Sequence, residues 1–287
     1  MVKVKWAVVF SFLFFLAGCG NKPAGGHIIS VTIEPQRYFA EKIGGDRFTI
    51  HTVVPAGQSP ETYDPAPQQM AGISNSLAYL QIGYIGFEQA WMQNIKESNP
   101  EMTVFDLSEG IELIFETEEE EHEGHHHGGI DPHIWSSVSG ARVIAWNTLN
   151  AFLALDRENT RYYWENYNKL LEEIDATEAA IRECLAAAPS RVFIIYHPAL
   201  TYFAREFGLE QLCIEVDGKE PSPAQLKGLV DMAKEHQAGV AFIQREFDQR
   251  NAALIAKEAG CRVVVINPLS YDWSKEMILI AKSLAGE

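Results

Sequence analysis

Apolar residues recur along the first half of the chain in two alternating patterns. Short runs rich in Ile, Val and Phe predict buried strands, and apolar positions three and four residues apart predict amphipathic helices. The predicted strands span residues 27–33, 48–54, 77–82 and 103–107, and the predicted helices span residues 35–44, 68–75 and 87–97. Strands that alternate with helices build parallel sheets through right-handed crossovers. This part of the chain is therefore predicted to form one α/β lobe.

The same alternation returns near the end of the chain and predicts a second α/β lobe. Its predicted strands span residues 191–196, 212–216, 240–244 and 262–266, and its predicted helices span residues 198–207, 222–236, 250–259 and 274–285. Between the two regions the pattern is purely helical, and residues 142–188 contain neither Gly nor Pro. A break near Asp156 would leave a second helix over residues 157–188, about 45 Å long. We expect this helix to be a rigid spine between the lobes.

The N-terminus has the features of a secretory signal. Lys3 and Lys5 precede an apolar stretch over residues 6–16, which is too short for a permanent membrane helix. The following Leu16-Ala17-Gly18-Cys19 resembles a bacterial lipobox, in which Cys19 becomes the lipidated first residue. The alternatives are an uncleaved anchor or a chance cysteine. We expect residues 1–18 to be removed, and the protein to be extracytoplasmic and attached to the membrane by lipid only.

These patterns predict the domain organisation of the whole chain. Residues 19–136 would form the N-terminal lobe, including a His/Glu-rich loop at 116–129, residues 137–189 the linking helices, and residues 190–287 the C-terminal lobe. The charge is strongly acidic, with 39 Asp and Glu against 23 Lys and Arg and a net charge of −16. Such a surface is a poor partner for nucleic acid and a good one for cations.

The four cysteines limit the metal chemistry that is available. Cys184, Cys213 and Cys261 remain once Cys19 carries the lipid. A disulfide between Cys213 and Cys261 is one hypothesis, because both flank strand-like runs of an exported protein. The spacing is not that of a zinc knuckle. Metal binding would therefore rest on His and carboxylate side chains.

Candidate ligands fall where ligands bind in α/β proteins, just outside the carboxyl ends of the strands. Glu61 lies in the loop after the second strand, and His197 directly follows the strand 191–196. His133 lies in the motif Asp131-Pro132-His133-Ile134-Trp135, where Asp131 could accept the second ring N–H and fix the tautomer. The plainer alternatives are a His133 packed on Trp135 and a His197 that is a core or capping residue. Two lobes facing each other across these ends would enclose a cleft.

The segment before this motif is a second candidate for metal binding. Four histidines, His122, His125, His126 and His127, stand among the glutamates of residues 118–123. A mobile tether of this composition suggests a metal-collecting arm. The alternative is an acidic loop with fortuitous histidines.

These motifs carry a family resemblance. The motifs at residues 16–19, 57–65, 118–129, 131–135 and 196–202 occur in the order seen in the metal-binding lipoproteins of ABC importers for zinc and manganese. The chain resembles the zinc-type branch of that family over nearly all of its mature length. The resemblance implies two α/β lobes joined by one rigid helix, with the metal enclosed between them. It also implies delivery to a membrane permease powered by an ATPase, without chemistry on the substrate, and we expect a monomer.

The chain departs from the family pattern at the site itself. Glu61 stands where the family usually has a histidine, and Asn267 stands where it usually has Asp before Pro-Leu. Asp272 could supply the missing carboxylate, and the choice between Asn267 and Asp272 stays open. We expect Glu61, His133, His197 and Asp272 as ligands.

The metal expected from this set is Zn²⁺, which two imidazoles and one or two carboxylates suit. The carboxylate in place of an imidazole makes the set harder and moves it toward Mn²⁺ or Fe²⁺. A metallohydrolase also uses such ligands, but the chain has neither a His-Glu-x-x-His helix nor a Gly-x-Ser-x-Gly elbow. A metal-dependent adhesin or a metal chaperone with the same fold is the remaining alternative.

Overall fold

The described part of the chain contains two parallel four-stranded sheets, as the alternating patterns predict. The computed structural model describes residues 27–115, 129–215, 221–247 and 249–287. The first sheet contains β1 (His27–Val31), β2 (Phe48–Thr52), β3 (Ala78–Gln81) and β4 (Thr103–Asp106), and the helices between these strands are α1 (Glu34–Gly44), α2 (Pro67–Ile73) and α3 (Gly86–Ser98). The strand order is β2-β1-β3-β4, and every pairing is parallel. All four carboxyl ends therefore lie at one edge of the sheet.

Two helices follow this sheet, and the predicted break between them is confirmed. Helix α4 (Val138–Leu155) ends at Asp156, and a 3-10 turn at Arg157–Asn159 leads into α5 (Thr160–Ala186). The Asp156 carboxylate accepts hydrogen bonds from the Tyr163 hydroxyl and the Asn159 amide, both at 2.7 Å, and so fixes the turn. With 27 residues, α5 is about 40 Å long.

The second sheet repeats the architecture of the first. It contains β5 (Val192–Ile195), β6 (Glu210–Cys213), β7 (Val240–Gln244) and β8 (Arg262–Ile266), with helices α6 (Thr201–Phe207), α7 (Pro223–Glu235), α8 (Gln249–Ala259) and α9 (Trp273–Leu284). The strand order is β6-β5-β7-β8, again all parallel. The expected fold of two α/β lobes is confirmed.

Helix α5 touches both lobes, which confirms it as a spine. Near its start the Tyr163 ring stacks on Phe48 of β2, with centroids 6.0 Å apart. Farther along, Thr177 is hydrogen bonded to Ser274 of α9 at 2.6 Å. One cluster of buried apolar side chains continues from the first sheet along α5 to the β5 and α9 side of the second lobe. The two lobes thus share a hydrophobic core.

Two buried tryptophans join the lobes beside this core. The Trp135 indole N–H donates to the Pro268 carbonyl at 3.0 Å, and the Trp273 indole N–H donates to the Trp135 carbonyl at 2.7 Å. Both side chains are fully buried. This Trp135–Trp273 contact fixes the segment that follows β8 against the segment that carries His133.

The hypothesis of a Cys213–Cys261 disulfide is wrong. The two residues are not bonded to each other, and their thiols donate instead to the Tyr196 and Ala238 carbonyls. The sheet order explains the separation, because β5 and β7 lie between β6 and β8. None of the described helices combines the length and apolar composition that a membrane crossing requires.

Candidate metal centre

Two histidines from opposite lobes meet at the carboxyl ends of the strands. His133 lies just before a 3-10 turn at Ile134–Ser136 that leads into α4, and His197 follows β5. Their Nε2 atoms are 3.3 Å apart, and His133 is only 6% exposed. The structure thus brings together the two imidazoles that the sequence singles out.

A carboxylate holds the far side of each ring. The Asp131 Oδ1 atom lies 2.8 Å from the His133 Nδ1 and also accepts the His133 backbone N–H. The Glu215 Oε2 atom lies 2.9 Å from the His197 Nδ1. Because a carboxylate only accepts, each Nδ1 carries the proton in the neutral ring, and each Nε2 presents its lone pair. Two lone pairs then face each other, an arrangement that a cation between them stabilises.

The spacing of the two nitrogens fits one shared metal ion. Two ligands of a tetrahedral zinc, each about 2.0–2.1 Å from the metal, lie about 3.3–3.4 Å apart. The observed separation of 3.3 Å agrees with that value. The pair is therefore arranged like half of a four-coordinate shell.

Glu61 lies on the N-terminal-lobe side of the same small cavity. Its Oε2 accepts the Gly86 backbone N–H at 3.0 Å, while its Oε1 is buried without a hydrogen-bond partner. The cavity also touches His133 and His197 and encloses about 10 Å³, room for roughly one water-sized sphere. An unpaired buried carboxylate oxygen is costly and would be relieved by a cation.

The close approach of α3 to Glu61 requires glycine at position 86. A Cβ atom on Gly86 would lie 2.5 Å from the Glu61 carbonyl oxygen and 2.9 Å from its Oε2. The neighbouring Phe87 N–H also donates to the Pro60 carbonyl at 2.9 Å. The loop that carries Glu61 is therefore fixed against the first turn of α3.

Three residues near the imidazoles are absent from the sequence-based set. Glu215 orients His197, Gln244 bonds to the His197 backbone, and Glu246 lines the cavity. Each lies at or just beyond the carboxyl end of β6 or β7, so the rule that identifies His197 also points to them. Their side chains belong to ordinary surface residue types, which is why the sequence alone does not distinguish them.

The charges around the cavity favour a positive ligand. Burial lowers the pKa of His133, but the charge and hydrogen bond of Asp131, with smaller contributions from Glu61 and Glu246, raise it above its ordinary value. Burial raises the pKa of Glu246, although both imidazoles partly oppose that effect. The cavity is thus lined by the Glu61 and Glu246 carboxylates, and a bound cation would stabilise their charged forms.

The structure does not bring Asp272 into this group. Its side chain is exposed, and its Oδ2 lies 3.0 Å from the Lys275 ammonium. The following Trp273 points into the core, which turns Asp272 outward at the start of α9. Asn267 does not line the cavity either. Its backbone N–H donates to Glu276, and Pro268 and Leu269 reach the cavity instead.

Cys19 and the four loop histidines, His122, His125, His126 and His127, lie outside the described residues. Within the described ranges, no three His, Cys, Asp or Glu side chains are grouped closely enough to hold a metal ion as they stand. The two imidazoles are in place, and Glu61 and Glu246 line the same cavity.

Comparisons with known proteins agree with this geometry. Residues 29–280 match the family model described as zinc-uptake complex component A, periplasmic. The high-affinity zinc uptake system protein ZnuA of Bacillus subtilis is 29% identical over 92% of this chain and 89% of its own length. A crystal structure of ZnuA is 37% identical, with a TM-score of 0.84 over 91% of this chain and 98% of its own. A zinc-bound deletion mutant of ZnuA is 36% identical, with a TM-score of 0.82 and coverage of 91% and 97%. More distant relatives include a manganese-binding and an iron-transporter lipoprotein.

Proposed function

The chain belongs to the periplasmic zinc-uptake complex component A family, and from this premise we propose that it captures a divalent transition metal, zinc, between its lobes and delivers it to an ABC importer. Proteins of this family serve uptake and are not enzymes, so the metallohydrolase alternative is set aside. The receiving partners would be a membrane permease and its ATPase.

The observation that supports this function most directly is the His133–His197 pair. Two imidazoles with their Nε2 atoms 3.3 Å apart, each oriented by a carboxylate, are arranged as metal ligands are. A histidine that merely packs in a core has no need for this convergence. Glu61, with one buried and unpaired oxygen at the same cavity, is proposed as the third ligand.

Zinc is favoured over manganese by the two imidazoles, which bind borderline-soft metals well. The carboxylates favour a harder ion and keep manganese or iron as the second candidate. The shared core and the Trp135–Trp273 contact oppose a wide hinge motion. Metal would instead order the rim, namely the loop at 57–67 and the segment after Pro268. Scattering profiles with and without zinc are therefore expected to show only a small change in radius of gyration.

We further propose that the protein is a monomer that is attached to the membrane surface through a lipid on Cys19. The expected extracytoplasmic location fits the relatives, which include a zinc-binding lipoprotein of Streptococcus pneumoniae. The histidines at positions 122 and 125–127 would collect metal for the principal site. A metal chaperone or adhesin with the same site would bind zinc equally well but would not need a permease.

Zinc affinity of imidazole variants tests the proposal. His133→Ala and His197→Ala should each weaken zinc binding by at least about 100-fold, since each removes a direct ligand and leaves the other lone pair unpaired. His236→Ala is the matched control, because His236 is exposed at the end of α7. Competition with a zinc-specific fluorescent chelator measures the affinities. Equal affinities for all three variants would overturn the proposed function.

A further inference from the structure

The turn that follows β7 packs against His197 and is hydrogen bonded to it. The Gln244 side-chain amide accepts the His197 backbone N–H at 3.3 Å and donates to the His197 carbonyl at 2.6 Å. Three residues on, the Phe247 ring stacks on the imidazole, with centroids 5.2 Å apart and an angle of 27°. The Phe247 N–H also donates to the Gln244 carbonyl. The turn is therefore fixed to His197 through both the backbone and the imidazole ring of that residue.

Glu246 lies between these two contacts. Its side chain is half-buried and lines the cavity together with Glu61, His133 and His197. It interacts electrostatically with both imidazoles, and the turn holds it near them. Glu61 approaches the cavity from the first lobe, whereas Glu246 approaches it from the second.

We propose that Glu246 is a direct metal ligand, the carboxylate that the second lobe supplies opposite Glu61. This inference rests on the proposed function, because it needs a cation between the two imidazoles. Two neutral imidazoles and two carboxylates form a four-coordinate shell whose charge balances that of a divalent ion. Balanced charge matters in a cavity this small and buried, where an uncompensated ion is strongly destabilised.

The same ligand would set the choice of metal. A second carboxylate brings the donor set to two nitrogens and two oxygens, which is harder than a histidine-rich set and binds Mn²⁺ and Fe²⁺ relatively better. Replacing it with an amide should therefore weaken Mn²⁺ binding more than Zn²⁺ binding. The ratio of the Zn²⁺ affinity to the Mn²⁺ affinity should therefore depend on the Glu246 side chain.

The experiment compares the full-length protein with Glu246→Gln, using Zn²⁺ and Mn²⁺ alone as probes in chelator competition. We expect Zn²⁺ affinity to fall by about tenfold or more, since even the loss of an outer partner of a ligand costs 10- to 100-fold. Mn²⁺ affinity should fall further. The visible spectrum of the Co²⁺-loaded protein, which responds to the ligand set, should change as well. Glu258→Gln, an exposed substitution on α8, is the matched control.

The outcomes separate this inference from the proposed function. Unchanged affinity and an unchanged Co²⁺ spectrum in Glu246→Gln, while His133→Ala loses zinc, would overturn the ligand role and leave the function intact. A weaker affinity with an unchanged spectrum would also overturn it, because Glu246 would then act only through its charge. If neither His133→Ala nor Glu246→Gln altered binding, the proposed function would fail first. Should Glu246→Gln not fold, Glu246→Asp gives the same test, since its carboxylate is retracted by one methylene.

Discussion

Gly86 offers the sharpest test of how the first lobe presents its carboxylate. In Gly86→Ala the new Cβ would lie 2.5 Å from the Glu61 carbonyl oxygen, whereas real Cβ atoms essentially never come within 3.0 Å of such an atom. The Glu61 backbone must therefore move relative to α3 by at least about 0.5 Å. Distances in a metal site hold to about ±0.2 Å, so the shift would take the carboxylate out of ligating position. We expect zinc affinity to fall about tenfold or more, equivalent to roughly 1.4 kcal/mol.

The effect on folding should be smaller than the effect on binding. Overpacking costs about 1–3 kcal/mol. Part of that is offset by about 0.5–1 kcal/mol, because alanine is the better helix residue. Gly72→Ala in α2 is the matched control, since its Cβ would meet nothing within 4 Å. It should bind zinc as the wild type does and be equally or more stable.

The assay is chelator competition for zinc, combined with thermal unfolding of the metal-free proteins. Glu61→Gln and the double variant Gly86→Ala/Glu61→Gln complete a cycle. If Gly86 acts through Glu61, the double variant should bind no worse than Glu61→Gln alone. A folded Gly86→Ala protein with wild-type zinc affinity would show that Gly86 does not position Glu61, and additive losses would show that Gly86 acts by another route.

Three further predictions concern other parts of the molecule. Glu215→Gln should weaken zinc binding by about 10- to 100-fold in the same competition assay, because the second imidazole loses the carboxylate that orients it. Excising residues 118–127 should lower the number of zinc ions bound in calorimetry but keep the tightest site, since Phe115 and Ile130 already pair across the base of this loop; loss of all tight binding would contradict this. Burial raises the pKa of Glu88 from 4.5 to about 7 in the folded protein, so its contribution to stability is greatest below pH 4.5 and declines as the pH rises to 7. Relative to Glu88→Gln, the wild type should lose about 3 kcal/mol of unfolding free energy between pH 4.5 and 7, as measured by urea unfolding. The same pH dependence of stability in both proteins would contradict this prediction.

The sequence predicts the fold well because the deciding signals are local. Alternating apolar periods mark each strand and helix, and the strand-end rule identifies His197 and Glu61 correctly as cavity residues. The position of the Asp272 side chain does not follow from local signals, because it is turned outward by the burial of the next side chain, Trp273. Glu246 is the converse case: it lines the cavity just beyond the carboxyl end of β7, but its residue type is the same as that of many solvated surface glutamates. Both depend on how distant segments pack, which no local pattern contains.

The Trp135–Trp273 contact has a consequence for how cargo leaves the protein. Moving the lobes apart would break two indole hydrogen bonds and expose two large aromatic surfaces. Each indole buries about 200 Å², worth roughly 5 kcal/mol at 25 cal/mol per Å². Exposing both would cost about as much as unfolding a typical domain. A wide opening would therefore cost much of the folding free energy, and we expect an unloading partner to act on the short segments at the mouth of the cavity.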